Sequence, residues 1–350
     1  MKRTLALLVA LAMALSLCAC GKIESAVKAD TPAGTNAPAA EEAAAEIGVH
    51  EFRLGTNNSH PHPIVQGIEH FAEVLSEKTN GKMTVTIYAG GQLGDKATQM
   101  QMVQTGALDF YTCGNGTLAD AGAPDVAVYS LPYLFDNLEH AKAYTAGTEF
   151  AEMMAYVDNQ GIGFHVLGAY CECGRCWFAK NELTAHPDCL NGLKLRSQEG
   201  TIYTLTGEAY GAQLTTVSFS ELYSALQSGV VDGADQPISG FVTNQFQEIC
   251  KYYINDQHEI PVDWILMSAA TFASLNDAEK AIVQEAFNES VAYFYEVQDS
   301  LVSEYVATME AAGVNIIEID PKEWADAVSS VYDQYPDWAG IVEGVRNTAY

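Results

Sequence analysis

Apolar positions recur first at strand spacing and then at helix spacing near the start of the folded part of the chain. The segment "HEFRLGTN" (residues 50–57) alternates like a strand. The apolar residues that follow lie at helical spacing: Ile64, Ile68, Phe71, Ala72 and Leu75. Gly81 ends this predicted helix, and Val85 and Ile87 alternate in a second strand. This order predicts a βαβ unit, and therefore a parallel sheet covered by helices.

The alternation of helices and strands continues along the chain. Residues 95–113 predict a helix that ends near Gly106 and a following strand, and residues 127–147 lead into the next helix. Residues 161–179 predict a long strand region, and residues 219–237 predict a helix, a glycine turn and a strand end. We therefore predict an α/β protein with two halves, in which the chain crosses between the halves near residues 170–175.

A long helical segment follows Asn276. Asn276 is a helix cap, Glu279 lies three positions later as in a capping box, and Gly313 is a stop signal. At 1.5 Å per residue the helix between these signals would be about 50 Å long. Because this exceeds the width of one small domain, we predict that the helix spans both domains.

The first 48 residues have a different composition. Lys2 and Arg3 precede an apolar run, residues 5–17, that is shorter than the roughly 20 residues of a membrane span, which is typical of a secretory signal. Residues 17–20, "LCAC", resemble a lipobox, so we predict a lipoprotein signal peptide over 1–19 and lipid on Cys20; cleavage at another small residue is the alternative. Residues 20–48 predict a flexible linker, because they contain too few large apolar side chains to fold.

The charge of the chain limits its partners. The formal net charge is -28, and removal of residues 1–19 leaves 15 basic and 45 acidic side chains, a net charge of -30. Nucleic acid and anionic membrane surfaces are therefore disfavoured as partners. A site for a small anion must then be local and built on arginine.

Six further cysteines follow Cys20. Because an exported chain is exposed to oxidants, we predict at least one disulfide among Cys171, Cys173, Cys176 and Cys189. A zinc site formed by "CECGRC" (residues 171–176) is the alternative.

Several ordered motifs resemble the substrate-binding proteins of TRAP transporters, the DctP type. They are "FAEVLSEKTNGKMTVTIYAGGQLGD" (71–95), "MVQTGALDF" (102–110), "SLPYLF" (130–135), "NGLKLRSQEG" (191–200) and "FSELYSALQSGVVDGADQP" (219–237). The resemblance implies a periplasmic-binding-protein-like, type II-like fold whose two α/β domains close around a small organic acid. It implies delivery of that acid to an ion-gradient-driven permease, with no catalysis, no cofactor and no metal.

From this resemblance we expect a particular domain organisation and particular partners. Domain I would comprise residues 49–172 and about 262–290, and domain II residues 173–261 and about 291–345. The partners would be a carboxylate ligand, the small and large membrane subunits of a TRAP permease, and the membrane through a lipid anchor. The protein would be a monomer, either anchored to the outer face of the cytoplasmic membrane or periplasmic.

Two arginines match the family positions that bind the ligand. Arg196, in "GLKLR", would form a bidentate salt bridge with the ligand carboxylate, because a planar guanidinium can donate to two carboxylate oxygens at once. Arg175, in "CGRCWF", would bind another ligand oxygen.

The resemblance implies five further ligand-binding residues. Phe219 would pack on the apolar part of the ligand, and Gln236 would supply an amide where the family more often has Asn. Asn57, Asn115 and Trp264 would line the cleft.

Histidines near the cleft mouth and two other classes of protein complete the sequence-based expectations. His60 and His62 are interpreted as solvated loop residues rather than as metal ligands. One rival function is a binding lipoprotein of an ATP-driven importer. The other is an extracellular enzyme that uses "CECGRC" and these two histidines as a metal or thiol site.

Overall fold

The computed structural model describes residues 46–350 and arranges their strands in two sheets. The predicted signal peptide, Cys20 and most of the predicted linker lie outside the described residues. The strands are β1 (His50–Gly55), β2 (Met83–Tyr88), β3 (Phe110–Cys113), β4 (Phe164–Cys171), β5 (Arg175–Ala179), β6 (Lys194–Ser197), β7 (Gln213–Thr216), β8 (Gly233–Pro237), β9 (Tyr252–Ile254), β10 (Val262–Ser268) and β11 (Asn315–Ile317).

The helices alternate with these strands for most of the chain. They are α1 (Pro63–Lys78), α2 (Lys96–Gln104), α3 (Asn115–Asp120), α4 (Leu138–Thr145), α5 (Thr148–Asn159), α6 (Thr201–Ala209), α7 (Leu222–Ser228), α8 (Ile238–Thr243), α9 (Ala269–Ser274), α10 (Asp277–Ala311), α11 (Pro321–Ala327) and α12 (Ala339–Arg346). Within residues 46–350, none of the helices combines the length and the apolar character of a membrane span.

The first sheet has the strand order β2-β1-β3-β10-β4. Strand β1 pairs in parallel with β2, from His50 opposite Met83 to Gly55 opposite Tyr88, and in parallel with β3. The predicted βαβ unit is therefore confirmed. Strand β10, which is distant in sequence, inserts antiparallel between β3 and β4.

The second sheet has the strand order β11-β9-β5-β8-β6-β7. Strand β6 is parallel to β7 and β8, whereas β5 is antiparallel to β8 and β9. The chain passes from the first sheet to the second between Cys171 and Arg175, and it returns to the first sheet in β10. The domain boundaries given above stay a prediction.

Helix α10 confirms the predicted long helix. Its capping box joins Asn276 and Glu279, and Gly313 follows its end with a φ of 74°, a left-handed conformation that glycine adopts at little cost. It packs on both α1 and α8. Phe294 lies in the core beside the first sheet and Met309 in the core beside the second. One helix therefore contributes to the hydrophobic cores at both sheets.

Candidate ligand-binding site

A cavity of about 70 Å³ lies between residues of the two sheets. From the first sheet it is lined by Asn57, which follows β1, by Asn115, which follows β3, and by Asp263 in β10. Because β1 and β3 are parallel, the residues after them meet at the same sheet edge, where α/β folds bind ligands. From the second sheet it is lined by Arg175 and Gln236. These two lie on neighbouring strands, since Arg175 pairs with Pro237 across β5 and β8.

Arg196 lies in β6, opposite Thr215 of β7, and its side chain is fully buried. Arg196 is not among the residues that line the cavity. It is nevertheless close enough to interact with the charges of Arg175 and Glu199. Arg175 lines the cavity, and Glu199 lines a neighbouring pocket. Nε of Arg196 donates a hydrogen bond to the carbonyl oxygen of Val217 over 2.9 Å. Nη1 and Nη2 are buried and have no hydrogen-bond partner among residues 46–350.

Burial lowers the pKa of Arg196 to about 10; the carboxylate of Asp235 counteracts this effect and the like charge of Arg175 adds to it. The guanidinium therefore stays charged at neutral pH in an environment that disfavours the charge. With Nε already bound, the edge formed by Nη1 and Nη2 remains for an anion, and this edge can hold two carboxylate oxygens.

Arg175, unlike Arg196, is neutralised by the protein itself. Its Nε lies 2.6 Å from Oδ2 of Asp235 and 3.4 Å from Oε2 of Glu259, and its Nη2 donates to the carbonyl oxygen of Asp235 over 2.7 Å. Burial works against the charge, but Asp235 and Glu259 raise the pKa of Arg175 above its usual range. Sequence reasoning missed both acids; Asp235 directly precedes Gln236 in a motif that was already singled out.

A buried histidine extends this ion pair. His258 Nδ1 lies 2.8 Å from Oδ2 of Asp256, and its Nε2 lies 3.4 Å from Oδ2 of Asp235. The ring stacks on Trp177 with centroids 4.9 Å apart. Burial disfavours the charged ring, but the carboxylates of Asp256 and Asp235 outweigh burial and raise the pKa of His258 to about 9. A protonated His258 therefore stabilises the carboxylate of Asp235, which in turn pairs with Arg175.

A second polar cluster contains His62, Glu172 and Asp263. The interpretation of His62 as a solvated loop residue is wrong, because its side chain is buried and caps α1 by accepting a hydrogen bond from the Ile64 N–H at Nδ1. The proton of the neutral ring is then on Nε2, which lies 3.2 Å from Oε2 of Glu172. Burial lowers the pKa of His62 to about 4, so the ring is neutral at pH 7. His60, in contrast, is exposed.

The remaining predicted site residues occupy different depths. Asn57 accepts a hydrogen bond from the Tyr111 hydroxyl over 3.0 Å, and Phe219 is half-buried at the cavity wall. Trp264 does not line the cavity; it is buried behind Asn115 and donates its indole N–H to Oδ1 of Asn115 over 2.8 Å. Trp264 therefore contacts a residue that lines the cavity rather than the cavity itself.

The predicted disulfide is wrong for this structure. All six cysteines within the described residues are free. Cys171 Sγ lies 3.5 Å from Oγ1 of Thr145, and Cys176 Sγ donates to the carbonyl oxygen of Gly174 over 3.6 Å. Cys189 Sγ contacts the carbonyl oxygen of Thr184. In the described part of the chain, no three His, Cys, Asp or Glu side chains group as a metal site would require.

Two mixed sheets, a helix that contributes to both cores and a charged cavity between the sheets define the class of extracytoplasmic solute-binding proteins. Residues 54–337 match the DctP family model, and the chain belongs to family 7 of the bacterial extracellular solute-binding proteins. The predicted family and fold class are confirmed.

Named relatives and solved structures agree with this assignment. The C4-dicarboxylate-binding periplasmic protein DctP of Rhodobacter capsulatus is 25% identical over 290 residues, which span 79% of this chain and 84% of that protein. A TRAP periplasmic solute-binding protein of Roseobacter denitrificans, solved with β-D-glucuronate, is 27% identical with a TM-score of 0.81, covering 85% of this chain and 100% of its own. One from Xanthobacter autotrophicus Py2, solved with β-D-galacturonate, is 26% identical with the same TM-score and the same coverage.

Proposed function

We propose that the protein captures a small organic acid anion outside the cytoplasmic membrane and delivers it to an ion-gradient-driven TRAP permease. It does this as a monomer held to the membrane by lipid on Cys20, with the small and large permease subunits as its partners and without catalysing a reaction. Membership of a solute-binding family supports the transport part of this proposal.

The observation that carries the proposal is the pairing state of the two arginines. Arg175 has protein carboxylates within ion-pair distance, whereas the buried Nη1 and Nη2 of Arg196 have no partner in residues 46–350. A buried cation without a partner is costly, and an anionic ligand removes that cost. Arg196 is therefore the anchor for the ligand carboxylate.

The other predicted residues have supporting roles in the proposal. Asn57, Asn115 and Gln236 present amides to the polar part of the ligand, and Phe219 covers its apolar part. Arg175 binds a further ligand oxygen, while Trp264 orients Asn115 from behind.

The test is a thermal-shift screen of organic acids followed by isothermal titration calorimetry. The panel includes D-glucuronate and D-galacturonate, with which structures of relatives were solved. A ligand at 100 times its Kd adds about 2.7 kcal/mol to the free energy of unfolding, which the screen detects readily.

Titrations of Arg196→Ala and Arg196→Lys then test the anchor. Removing one partner of a buried charge pair costs about 2 to 5 kcal/mol, a loss of affinity of about thirtyfold to several thousandfold. Arg196→Lys keeps the charge but loses the fork, and it should bind less tightly than the parent. The control is Arg53→Ala, which removes a half-exposed arginine that interacts with Asp109. Parental affinity in a folded Arg196→Ala protein would overturn the assignment.

A further inference from the structure

The cavity wall is unusually acidic for a site that receives an anion. Glu172, Glu259 and Asp263 all line it, together with the cationic Lys96 and Arg175. Lys96 is engaged by Glu199, with Nζ 3.6 Å from Oε2, and Arg175 is engaged most closely by Asp235. The three lining carboxyl groups are therefore not fully balanced by the lining cations.

One oxygen of this acidic wall has no hydrogen bond. Glu259 is only 3% exposed, and its Oε1 accepts a long hydrogen bond of 3.3 Å from the Tyr203 hydroxyl. Its Oε2 is buried without a hydrogen bond in the described part of the chain, and the nearest cationic atom, Nε of Arg175, is 3.4 Å away. Burial raises the pKa of Glu259 to about 7, against the lowering effect of Arg175. An acceptor in this state is available for a donor that enters the cavity.

Glu172 and Asp263 lie in the same wall, and the Glu172 N–H donates to the carbonyl oxygen of Pro261, two positions before Asp263, over 3.1 Å. Oε2 of Glu172 accepts a hydrogen bond from Oγ of Ser239 over 3.0 Å and lies 3.2 Å from Nε2 of His62, so this carboxyl group acts as an acceptor. Burial and the adjacent Glu172 raise the pKa of Asp263 well above its ordinary value. Two carboxyl groups this close share one proton, because both cannot ionise together.

This arrangement selects against a second carboxylate on the ligand. A dicarboxylate that used one carboxylate at Arg196 would bring the other towards three protein carboxyl groups, where like charges repel at low dielectric. A protonated amine would instead take the place of the proton that Glu172 and Asp263 share. Its three N–H donors would also reach acceptors such as Oε2 of Glu259.

We infer that the ligand is an amino-substituted carboxylic acid, whose carboxylate binds Arg196 and whose ammonium group binds the wall formed by Glu172, Asp263 and Glu259. This inference rests on the proposed capture of an acid at Arg196. On binding, the ammonium group replaces the shared proton, and that proton leaves Asp263 for the buffer.

The experiment compares acids that differ only in one group, together with D-glucuronate as an unmatched uronic acid. Isothermal titration calorimetry of the purified full chain uses linear acids of four to six carbons that end in an amine, a hydroxyl or a second carboxylate. It also uses D-glucosaminate, D-gluconate and D-glucuronate. The amino acid of at least one matched set should bind about tenfold or more tightly than both counterparts. Repeating its titration in buffers of different ionisation enthalpy should show a proton released.

Isosteric variants locate the subsite. Glu172→Gln and Asp263→Asn should each weaken binding of the amino acid by about thirtyfold or more, as expected when one partner of a buried charge pair is removed. They should leave binding of the matched hydroxy acid within a few-fold of the parent. Glu323→Gln, which removes an exposed carboxylate beside His186, is the control.

Each outcome bears on one of the two proposals. Tighter binding of the hydroxy acid, the dicarboxylate or D-glucuronate than of the matched amino compound overturns the ammonium site, while capture of an acid at Arg196 stands. Amine selectivity that survives both variants also overturns this site. If no acid in either panel binds in a manner that depends on Arg196, the proposed function fails first, and the inference fails with it.

Discussion

The two buried arginines near the cavity should respond in opposite directions to the same substitution. Arg196→Met is expected to raise the free energy of unfolding of the ligand-free protein, and Arg175→Met is expected to lower it. Methionine keeps an unbranched apolar chain in both places, so the comparison isolates what happens to the charge.

The gain for Arg196→Met follows from the burial of its charge. The fall in the pKa of Arg196 from its ordinary value to about 10 corresponds to about 3 kcal/mol at about 1.4 kcal/mol per pKa unit, and this penalty acts in full at pH 7. The substitution also removes the hydrogen bond from Nε to Val217, which is worth about 1 kcal/mol. The net expectation is a stabilisation of about 2 kcal/mol, within the about 1 to 4 kcal/mol found when apolar residues replace buried ions.

The loss for Arg175→Met follows from the partners that remain. Asp235 and Glu259 would stay buried without the guanidinium that lies 2.6 and 3.4 Å from them. Breaking a buried ion pair from one side costs about 3 to 5 kcal/mol. The two substitutions should therefore differ by about 5 to 7 kcal/mol, the sum of these two effects.

The assay is urea unfolding at pH 7, followed by circular dichroism. Co-purified acids are first removed by unfolding and refolding, and mass spectrometry confirms their removal, because a bound ligand would mask the penalty at Arg196. Equal m-values across the three proteins would allow the midpoints to be compared directly. If Arg196→Met destabilises the ligand-free protein as much as Arg175→Met does, Arg196 is a structural residue and the argument for a ligand anchor is refuted.

Three further outcomes are expected. The free energy of unfolding should fall by about 3 kcal/mol between pH 6.5 and 9. The reason is that the pKa of His258 is about 9 in the folded protein. The stabilisation by the protonated ring is complete below pH 6.5 and is lost as the pH rises through 9. His258→Gln should flatten this slope, and parallel curves would contradict the assignment. Gly168→Ala should cost about 1 to 3 kcal/mol in urea unfolding, since φ is 151° and a Cβ would lie 2.4 Å from Cε1 of Phe287, whereas Gly340→Ala, with open space around it, should be nearly neutral. Finally, an acid identified by the screen should reduce the radius of gyration measured by X-ray scattering, because we expect the domains to close around it; superimposable curves with and without the acid would contradict closure.

The elements with strong local signals were predictable from the sequence. The βαβ unit follows from apolar spacing and one glycine, and α10 follows from a capping box at Asn276 and a stop at Gly313. Both signals consist of residues within one segment of the chain, so both elements can be predicted from the local sequence alone. The insertion of β10 between β3 and β4 is different, because it pairs residues that are about a hundred positions or more apart.

The partners of the site residues were not predictable for the same reason. Arg175 could be identified from its motif, but its neutralisation depends on Asp235 and Glu259, which come from β8 and from the loop before β10. The burial of His62 likewise depends on its contact with Glu172, which lies beyond β4. Whether a charged side chain binds a ligand or another side chain is decided by tertiary contacts that the local sequence does not encode.

The contrast between the two arginines also explains how an acidic protein can bind an acid. The net charge of -28 repels anions at long range, so attraction must arise inside the cavity, where the low dielectric strengthens each interaction. Lys96 and Arg175 are engaged by protein carboxylates, whereas the terminal nitrogens of Arg196 have no partner in the described residues. Among these three cations of the described residues, Arg196 alone has no carboxylate within ion-pair distance. Specificity then depends on a second group of the ligand, which must contact the carboxyl groups of Glu172, Glu259 and Asp263 without repulsion.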